Sequence, residues 1–361
     1  MNAGQDVALL ARALQLAERG LYTTDPNPRV GCVLARDGQV LAEGWHERAG
    51  EAHAEVMALR AAGAGAGGST AYVSLEPCAH AGRTPPCAEA LIAAGVRRVV
   101  APAADPNPRV AGAGFAKLRA AGIEVGTGLL EREARALNPG FFSRFERRRP
   151  WVRLKLAMSL DGRTALANGL SQWITGESAR EDVQRWRARS SAILTGAGTA
   201  LADDPRLDVR WQYGPWVRQP LRVLLDSRLR VPVGSRLFRG APALVFTAQG
   251  TVVPADHPAQ VVRVGGTAGS LDLAAILAEL AQREVNELLV ECGPQLGGAF
   301  LRARLVDELV LYVAPALLGG DARPLLDAMG LTDLAGAVRF AYADVRRIGD
   351  DLRLLLTPSG S

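Results

Sequence analysis

The feature that most constrains the fold of this chain is a histidine and two cysteines spread over its first ninety residues. His53 begins the segment His53-Ala54-Glu55, Cys78 follows Pro77, and Cys87 follows a pair of prolines. One imidazole and two thiolates form a three-ligand set for zinc, and the fourth tetrahedral position stays open, as in catalytic zinc sites. A chain that uses this set must bring three separate segments together at one point.

Glu55 lies two residues after His53 and is expected to carry protons rather than to bind metal. A carboxylate in this position moves a proton between the water that a metal activates and the departing group. The order His-x-Glu, then Pro-Cys, then a second Cys is the signature of hydrolytic zinc deaminases. The sequence therefore predicts metal ligands His53, Cys78 and Cys87, with Glu55 as a catalytic residue.

Local patterns predict an alternation of helices and strands in the first half. Apolar residues at helical spacing predict a helix over residues 6–19. Asp37-Gly38 lies between two apolar runs and predicts a two-stranded hairpin. Further apolar runs predict strands over residues 70–75 and 96–101.

The predicted ligands lie where these elements begin or end. His53 opens an alanine-rich helix, and Cys78 comes just after the strand at residues 70–75. Cys87 begins the next helix, because the prolines before it suit a first helical turn. Because two of the ligands begin helices and the third follows a strand end, the three side chains are expected to converge. Helix N-termini also carry partial positive charge, which favours thiolate over thiol.

Length and composition are those of an enzyme with two domains. The chain has 361 residues, more than one typical core, and 48% hydrophobic with 22% charged residues, near the globular average. It has four cysteines, and no apolar run reaches the roughly 18 residues that would span a bilayer. Charged residues interrupt the N-terminal stretch that a signal peptide would need. We expect a cytoplasmic protein, since a reducing compartment keeps such cysteines free.

The charge balance is basic, with 42 Lys and Arg against 37 Asp and Glu. Such a balance is found in nucleic-acid-binding proteins. However, Lys117 and Lys155 are the only lysines, the arginines are spread along the whole chain, and aromatic residues make up only 5%. Few aromatic side chains are therefore available to stack on bases. Basic charge also suits an anionic phosphate, so we expect a small-molecule partner, no nucleic acid and no membrane.

The segment between the two cysteines narrows the family. Residues 76–87 read Glu-Pro-Cys-Ala-His-Ala-Gly-Arg-Thr-Pro-Pro-Cys, and residues 26–31 read Pro-Asn-Pro-Arg-Val-Gly. Many deaminases of nucleosides and nucleic acids place two residues between their cysteines, whereas residues 79–86 intervene here. This pattern closely resembles the deaminase of riboflavin biosynthesis.

Motifs in the second half resemble the reductase of the same bifunctional family. The motifs are Ser-Leu-Asp-Gly-Arg-Thr-Ala at 159–165, Ser-Gln-Trp-Ile-Thr-Gly at 171–176, Gly-Ala-Gly-Thr-Ala-Leu-Ala-Asp-Asp-Pro at 196–205 and Glu-Cys-Gly-Pro-Gln-Leu-Gly-Gly at 291–298. Residues 151–158 predict a strand, and a buried-type strand at 288–290 runs into a glycine-rich turn of the kind that lets backbone N–H groups approach phosphates. The Gly-x-Gly-x-x-Gly fingerprint of a Rossmann domain is absent. The resemblance covers roughly residues 1–357.

The resemblance implies an α/β protein with two domains. Residues 1–147 would form a cytidine-deaminase-like three-layer α/β/α domain, and residues 148–361 a dihydrofolate-reductase-like α/β domain. With Zn2+, the first would hydrolytically deaminate 2,5-diamino-6-(5-phosphoribosylamino)pyrimidin-4-one. With NADPH, the second would reduce the ribosyl group to ribityl and give 5-amino-6-(5-phosphoribitylamino)uracil. A homo-oligomer, either dimer or tetramer, is implied likewise.

The resemblance also implies roles for individual residues. The substrate-binding residues of the deaminase would be Asn27, His80, Arg83, Asp105 and Asn107. The catalytic residues of the reductase would be Lys155, Asp203 and Glu291. Its cofactor contacts would be Ala157, Trp173, Thr199, Asp203, Ser227, Gly293, Pro294, Gln295, Leu296, Gly297, Gly298 and Ala299. Its substrate contacts would be Ser171, Arg187, Leu207, Arg210 and Glu291, and the two guanidinium groups suit a phosphate because each is a planar fork of donors.

Two other functions stay open at this point. The first is a nucleoside or tRNA deaminase with an unrelated C-terminal domain, which the long spacing between Cys78 and Cys87 disfavours. The second is a non-catalytic binding module that zinc stabilises. A purely structural zinc site needs four closed ligands and no proton carrier, so Glu55 argues against it.

Overall fold

A computed structural model of the protein describes residues 3–79, 86–211, 218–266 and 270–359. The chain divides into two compact units, Met1–Arg148 and Arg149–Ser361. No helix among the described residues is both long enough and apolar enough to cross a bilayer.

The first unit alternates helices and strands. Its elements are α1 (Ala3–Glu18), β1 (Gly31–Arg36), β2 (Gln39–Trp45), α2 (Ala54–Ala62), a short 3₁₀ helix (Gly63–Ala66), β3 (Thr70–Val73), α3 (Cys87–Ala93), β4 (Arg98–Ala101), α4 (Ala113–Ala120), β5 (Glu124–Thr127), α5 (Glu131–Leu137) and α6 (Pro139–Glu146). The predicted first helix, hairpin and strands are confirmed. The hairpin turn has φ of 51° at Asp37 and 83° at Gly38, the left-handed values that a two-residue turn requires.

The sheet of the first unit has the order β2-β1-β3-β4-β5. Strands β2, β1 and β3 pair antiparallel, whereas β3, β4 and β5 pair parallel. Successive residues of a strand point to opposite faces, so Leu34 packs with α2, α3 and α4, and Val33 packs with α1. The predicted three-layer α/β/α arrangement is therefore confirmed, and the carboxyl ends of β3 and β4 share one edge of the sheet.

The second unit is built on a larger sheet. Its elements are β6 (Trp151–Ser159), β7 (Arg163–Ala165), α7 (Glu177–Arg189), β8 (Ala192–Gly196), α8 (Ala197–Asp203), β9 (Leu221–Leu225), a 3₁₀ helix (Arg236–Phe238), β10 (Ala243–Ala248), β11 (Gln260–Val264), α9 (Leu273–Gln282), β12 (Glu287–Glu291), α10 (Pro294–Arg302), β13 (Glu308–Ala314), β14 (Arg323–Pro324), β15 (Phe340–Ile348) and β16 (Asp351–Pro358).

Among the described residues of this unit, nine strands form the main sheet in the order β11-β10-β9-β8-β12-β6-β13-β16-β15. The first seven of these are parallel, and the last two form an antiparallel hairpin against β13. Leu154 and Leu288 face α9 and α10, and Leu224 and Leu289 face the side that carries α8. Helices thus cover both faces, which suits a parallel sheet.

A buried ionic cluster lies on the strand face opposite Leu154. Arg153 is only 1% exposed, and its Nη1 lies 2.8 Å from Glu287 Oε2. Arg153 also pairs with Glu308, and Arg189 Nε lies 2.7 Å from Glu287 Oε2. The Arg153 guanidinium sits 5.0 Å from the centre of the Trp186 ring. These contacts compensate charges that would otherwise be costly to bury.

The predicted glycine-rich turn after β12 is wrong, because the chain forms helix α10 there. Gly293 is the residue that caps the helix, and Pro294 occupies its first turn, where a missing N–H costs nothing. A Cβ at position 297 would lie 3.5 Å from Leu326 and 3.7 Å from Cys292, ordinary packing distances. Gly297 and Gly298 lie within the helix, so the N-terminus of α10, and not a loop, follows β12.

Candidate active sites

The three predicted metal ligands meet at one point of the first unit. His53 caps α2, Cys87 is the first residue of α3, and Cys78 lies in the turn after β3. His53 Nδ1 lies 3.2 Å from Cys87 Sγ and 3.7 Å from Cys78 Sγ, and the three atoms are all within 4.8 Å of one another. Zinc bond lengths and tetrahedral angles place N and S ligands about 3.5 Å apart. The donor set therefore fits a zinc ion.

The pKa values of the Cys78 and Cys87 thiols also suit a metal site. A hydrogen bond from Cys87 lowers the pKa of Cys78 to about 4, whereas that bond and burial raise the pKa of Cys87. The two pKa values therefore shift in opposite directions, and Cys78 loses its proton more readily than Cys87. A divalent cation between the sulfurs would release the second proton, because metal binding requires both ligands deprotonated.

Glu55 lies in the first turn of α2, beside the ligands. It is 3% exposed, and burial raises the pKa of its carboxyl group. Its Oε2 atom has no hydrogen-bond partner among the residues that the structure describes. A buried polar atom without a protein partner calls for an explanation, such as a bound water or a catalytic role. This oxygen is therefore available to a reacting water or substrate.

His46 is a site residue that the sequence reasoning missed. It is 2% exposed, and its ring packs edge-on against His53 with 5.1 Å between the centroids. His46 Nδ1 lies 3.1 Å from the Ala52 carbonyl oxygen, which only accepts, and Asn27 Nδ2 lies 3.1 Å from His46 Nε2. Burial lowers the pKa of His46, so Nε2 accepts from the Asn27 amide. The hydrogen bond to His46 thereby orients the side-chain amide of Asn27, including its carbonyl oxygen. In the sequence, only the short spacing from His46 to His53 could have indicated that His46 belongs to the site.

The second predicted substrate segment follows β4. Asp105 Oδ1 accepts from the Asn107 N–H at 2.7 Å, and Asn107 Oδ1 accepts from the Arg109 N–H at 3.1 Å. Both side chains therefore shape the turn themselves. Asp105 is 8% exposed, and burial raises its pKa to about 7. The predicted contacts His80 and Arg83 lie outside the described residues.

Among the reductase candidates, Glu291 lies at the carboxyl end of β12, the edge where α/β sheets bind ligands, and Lys155 lies in the middle of β6. Glu291 on β12 is paired in register with Lys155 on β6. Arg187 donates two hydrogen bonds to the Glu291 carboxylate, from Nε to Oε1 at 2.7 Å and from Nη2 to Oε2 at 2.8 Å. Arg187 Nη1 also donates to the Asp208 carbonyl at 3.0 Å. The phosphate-holding role of Arg187 stays a prediction, although all three of these nitrogens already have acceptors.

Burial and neighbouring charges act in opposing directions on the pKa values of both Lys155 and Glu291. Burial lowers the pKa of Lys155, while Glu291 acts against that shift. Burial alone would raise the pKa of Glu291, but Arg187 outweighs it, and the pKa is lowered. Lys155 Nζ lies 5.8 Å from the centre of the Tyr312 ring. The arrangement is an ionised carboxylate beside a lysine that gives up its proton more readily than usual.

Two helix starts meet beside this cluster. Thr199 in α8 accepts from the Gly293 N–H with its Oγ1 at 3.1 Å, so the beginnings of α8 and α10 are tied together. The orphan N–H groups at helix N-termini bind phosphates. The predicted cofactor contacts Gly293–Ala299 therefore lie at the start of helix α10 and not in a loop.

The other predicted residues surround these elements. Ala157 lies in β6, Ser171 and Trp173 in the loop before α7, Asp203 at the end of α8, Leu207 and Arg210 after α8, and Ser227 just after β9. Trp173 is 68% exposed, with the Arg180 guanidinium 4.5 Å from its ring centre. Asp203 is exposed, and partial burial of its carboxyl group raises its pKa. Leu207 is only 2% exposed, which limits how a substrate could reach its side chain.

Each half of the chain matches a family model. Residues 3–103 match the cytidine and deoxycytidylate deaminase zinc-binding region. Residues 150–354 match the RibD C-terminal domain.

Relatives match nearly the whole chain. The riboflavin biosynthesis protein RibD of Escherichia coli is 50% identical over 98% of this chain and 99% of its own length. A solved RibD structure from Acinetobacter baumannii is 45% identical, has a TM-score of 0.93, and covers 99% of this chain and 100% of its own. A deaminase/reductase structure from Thermotoga maritima is 34% identical, with a TM-score of 0.86 and 99% of both chains covered.

Proposed function

This chain belongs to the RibD family of riboflavin biosynthesis proteins, which join a deaminase to a reductase, and we propose that its two candidate sites carry out two consecutive reactions. The first half matches a deaminase zinc-binding region, the second half matches the RibD C-terminal domain, and RibD relatives match nearly the whole chain. The two alternatives, a deaminase with an unrelated C-terminal domain and a non-catalytic zinc module, are therefore wrong. The observation that carries the assignment of the first reaction is the partnerless Glu55 oxygen beside the cluster of His53, Cys78 and Cys87.

The first reaction is hydrolytic deamination of 2,5-diamino-6-(5-phosphoribosylamino)pyrimidin-4-one. Zinc held by His53, Cys78 and Cys87 would supply Lewis-acid activation of the attacking water. Glu55 accepts the proton of that water at Oε2 and delivers it to the departing amino group. Asn27, which His46 orients, holds the pyrimidine. Asp105, Asn107, His80 and Arg83 complete the proposed substrate contacts, and ammonia leaves.

The second reaction reduces the ribosyl group to ribityl. NADPH would supply the hydride, which adds to C1 of the sugar, while a proton goes to the sugar ring oxygen as the ring opens. Lys155 Nζ donates that proton, since burial lowers its pKa. Glu291, kept ionised by Arg187, orients Lys155 and the substrate. The starts of α8 and α10 bind the cofactor phosphates, together with the other predicted contact residues.

The domain bounds, the cellular location and the assembly of the protein belong to the same proposal. The functional domains are residues 1–147 and 148–361. The location is cytoplasmic, since no disulfide joins Cys32, Cys78, Cys87 or Cys292. The assembly is a homodimer or homotetramer, as the family resemblance implies.

Removing zinc with a chelator is expected to abolish ammonia release and to leave NADPH binding unchanged. The reason is that all three proposed ligands lie in the first unit, whereas the proposed NADPH contacts lie in the second. Metal content, ammonia release and NADPH fluorescence titration measure the three quantities, and added zinc should restore the activity. Full ammonia release by zinc-free protein would refute the metal assignment.

A further inference from the structure

Glu76 is a buried carboxylate whose whole set of acceptor positions is used by backbone N–H groups. It is 4% exposed. Its Oε2 accepts from Asp105 and Gly112, both at 2.9 Å, and its Oε1 accepts from Gly114 at 2.9 Å and Phe115 at 3.2 Å. A carboxylate has about four lone-pair sites, so no acceptor capacity is left for a ligand. Its role must therefore be exerted through the segments that it holds.

One of these segments is the start of helix α4. Gly112, the capping residue, has φ of 86° and no side chain, so it cannot satisfy the first N–H groups of the helix itself. Glu76 satisfies the N–H groups of Gly114 and Phe115, the second and third helical residues. Its negative charge also lies at the positive end of the helix dipole. The carboxylate therefore caps α4 from another part of the chain.

The second segment is the turn that carries Asp105 and Asn107. The bond from the Asp105 N–H fixes the point at which the chain leaves β4. From there Asp105 accepts from Asn107, and Asn107 from Arg109, so each turn is built on the one before. A shift of the first bond would move the whole turn. This dependence makes Glu76 the anchor of the proposed substrate contacts.

Glu76 is also joined directly to the metal site, because Pro77 and Cys78 follow it in the chain. A Cβ at position 114 would lie 1.9 Å from the Pro77 carbonyl oxygen, so α4 packs against that peptide as closely as glycine allows. The Cys78 carbonyl accepts from the Ala88 N–H at 3.1 Å, which fixes the other end of the segment. One side chain thus contacts both the helix and the turn, two residues from a proposed ligand.

We propose that Glu76 is a positioning residue that sets the substrate turn at Asp105–Asn107 against the metal ligand Cys78. This inference rests on the proposed deaminase function. Glu76 does not touch the substrate, and its effect on catalysis is exerted through the four backbone groups that it binds.

The test compares Glu76→Gln and Glu76→Asp with wild-type protein that carries its zinc. In Glu76→Gln an amide NH₂ faces two backbone donors, so the turn is displaced. We expect KM for the diaminopyrimidinone substrate to rise about tenfold or more, since substrate contacts are lost, and kcat to change less than about threefold. Zinc content should match that of the wild type. Glu76→Asp keeps the charge and should recover part of the loss in KM.

Glu89→Gln is the matched control, because it removes the same charge from the same unit. Glu89 is half exposed and pairs with Lys117 on the surface. Glu89→Gln should leave KM, kcat and zinc content at wild-type values, and none of the variants should alter NADPH oxidation when the already deaminated pyrimidine is supplied to the second site.

Three results would overturn the proposal. The first is unchanged deaminase kinetics in both Glu76 variants, and the second is loss of zinc from both. The third is an equal loss of deamination and of reduction, with reduction measured on the already deaminated pyrimidine, which would indicate a role in folding alone. If Glu76→Gln is insoluble, the kinetics and zinc content of Glu76→Asp alone test the proposal.

Failure of the proposed function is a separate outcome. It would appear as wild-type protein that releases no ammonia from this substrate. Hydrogen exchange then still tests the placement of Glu76. The amides of Asp105, Gly112, Gly114 and Phe115 should exchange faster in Glu76→Gln, and unchanged exchange would contradict the proposal.

Discussion

Replacing Glu55 with glutamine is expected to lower kcat for ammonia release about 10³-fold, within the range that proton transfer contributes to catalysis. Glutamine keeps the shape of the side chain but accepts no proton at the partnerless position. The metal ligands are untouched, so zinc content should stay at the wild-type value. Ammonia release and metal analysis on one preparation measure both quantities.

Glu51→Gln is the matched control for this substitution. Glu51 precedes the same helix, is exposed on the surface and pairs with Arg48 at 3.3 Å. Glu51→Gln should leave ammonia release unchanged, and NADPH oxidation should be normal in both variants when the already deaminated pyrimidine is supplied as substrate. A Glu55→Gln protein that deaminates at the wild-type rate would remove Glu55 from the mechanism.

Replacing Lys155 with methionine is expected to slow NADPH oxidation about 10²-fold or more. Methionine fills a similar volume but cannot donate the proton that the opening sugar ring needs. It also removes the positive charge that faces Glu291 across the β6–β12 pair, while Arg187 continues to hold that carboxylate. Ammonia release should not change. Steady-state NADPH oxidation and a fluorescence titration of NADPH separate catalysis from cofactor binding.

The chain offers a close control, since Lys117 is its only other lysine. Lys117 is exposed in the first unit and pairs with Glu89 on the surface. Lys117→Met should leave both activities at wild-type values. Normal NADPH oxidation by Lys155→Met, or an equal loss in both lysine variants, would contradict the role given to Lys155.

The metal site could be predicted from the sequence because its ligands lie next to strong local signals. Proline pairs and alanine-rich stretches mark the helix starts at His53 and Cys87, and a strand ends just before Cys78. Each signal depends only on neighbouring residues. The convergence then followed from the rule that helix starts and strand ends share one edge of an α/β sheet.

Contacts between distant residues could not be predicted. Arg187 and Glu291 are 104 residues apart, and each looked like an independent substrate contact until the structure showed them as a pair. His46 shows the same limit, since its role depends on burial beside His53 and on the bond from Asn27. Neither spacing nor periodicity reports which polar side chains use their hydrogen bonds on each other.

The turn predicted after β12 was wrong for a local reason. Several glycines within eight residues favour a loop by propensity, because glycine costs roughly 1 kcal/mol in a helix relative to alanine. Here Pro294 begins the helix, and the packing of α10 against Leu154 and other residues of the main sheet stabilises it. Tertiary packing thus outweighs propensity at the proposed phosphate-binding segment.

One chain is expected to deaminate the substrate first and then to reduce the product of that step. The most direct measurement supplies purified protein, zinc and NADPH with the diaminopyrimidinone ribosylamine phosphate, and follows ammonia and NADPH together. We predict that ammonia appears first and that an equal amount of NADPH is then oxidised. Ammonia release from cytidine instead, or NADPH oxidation without prior ammonia release, would contradict the account.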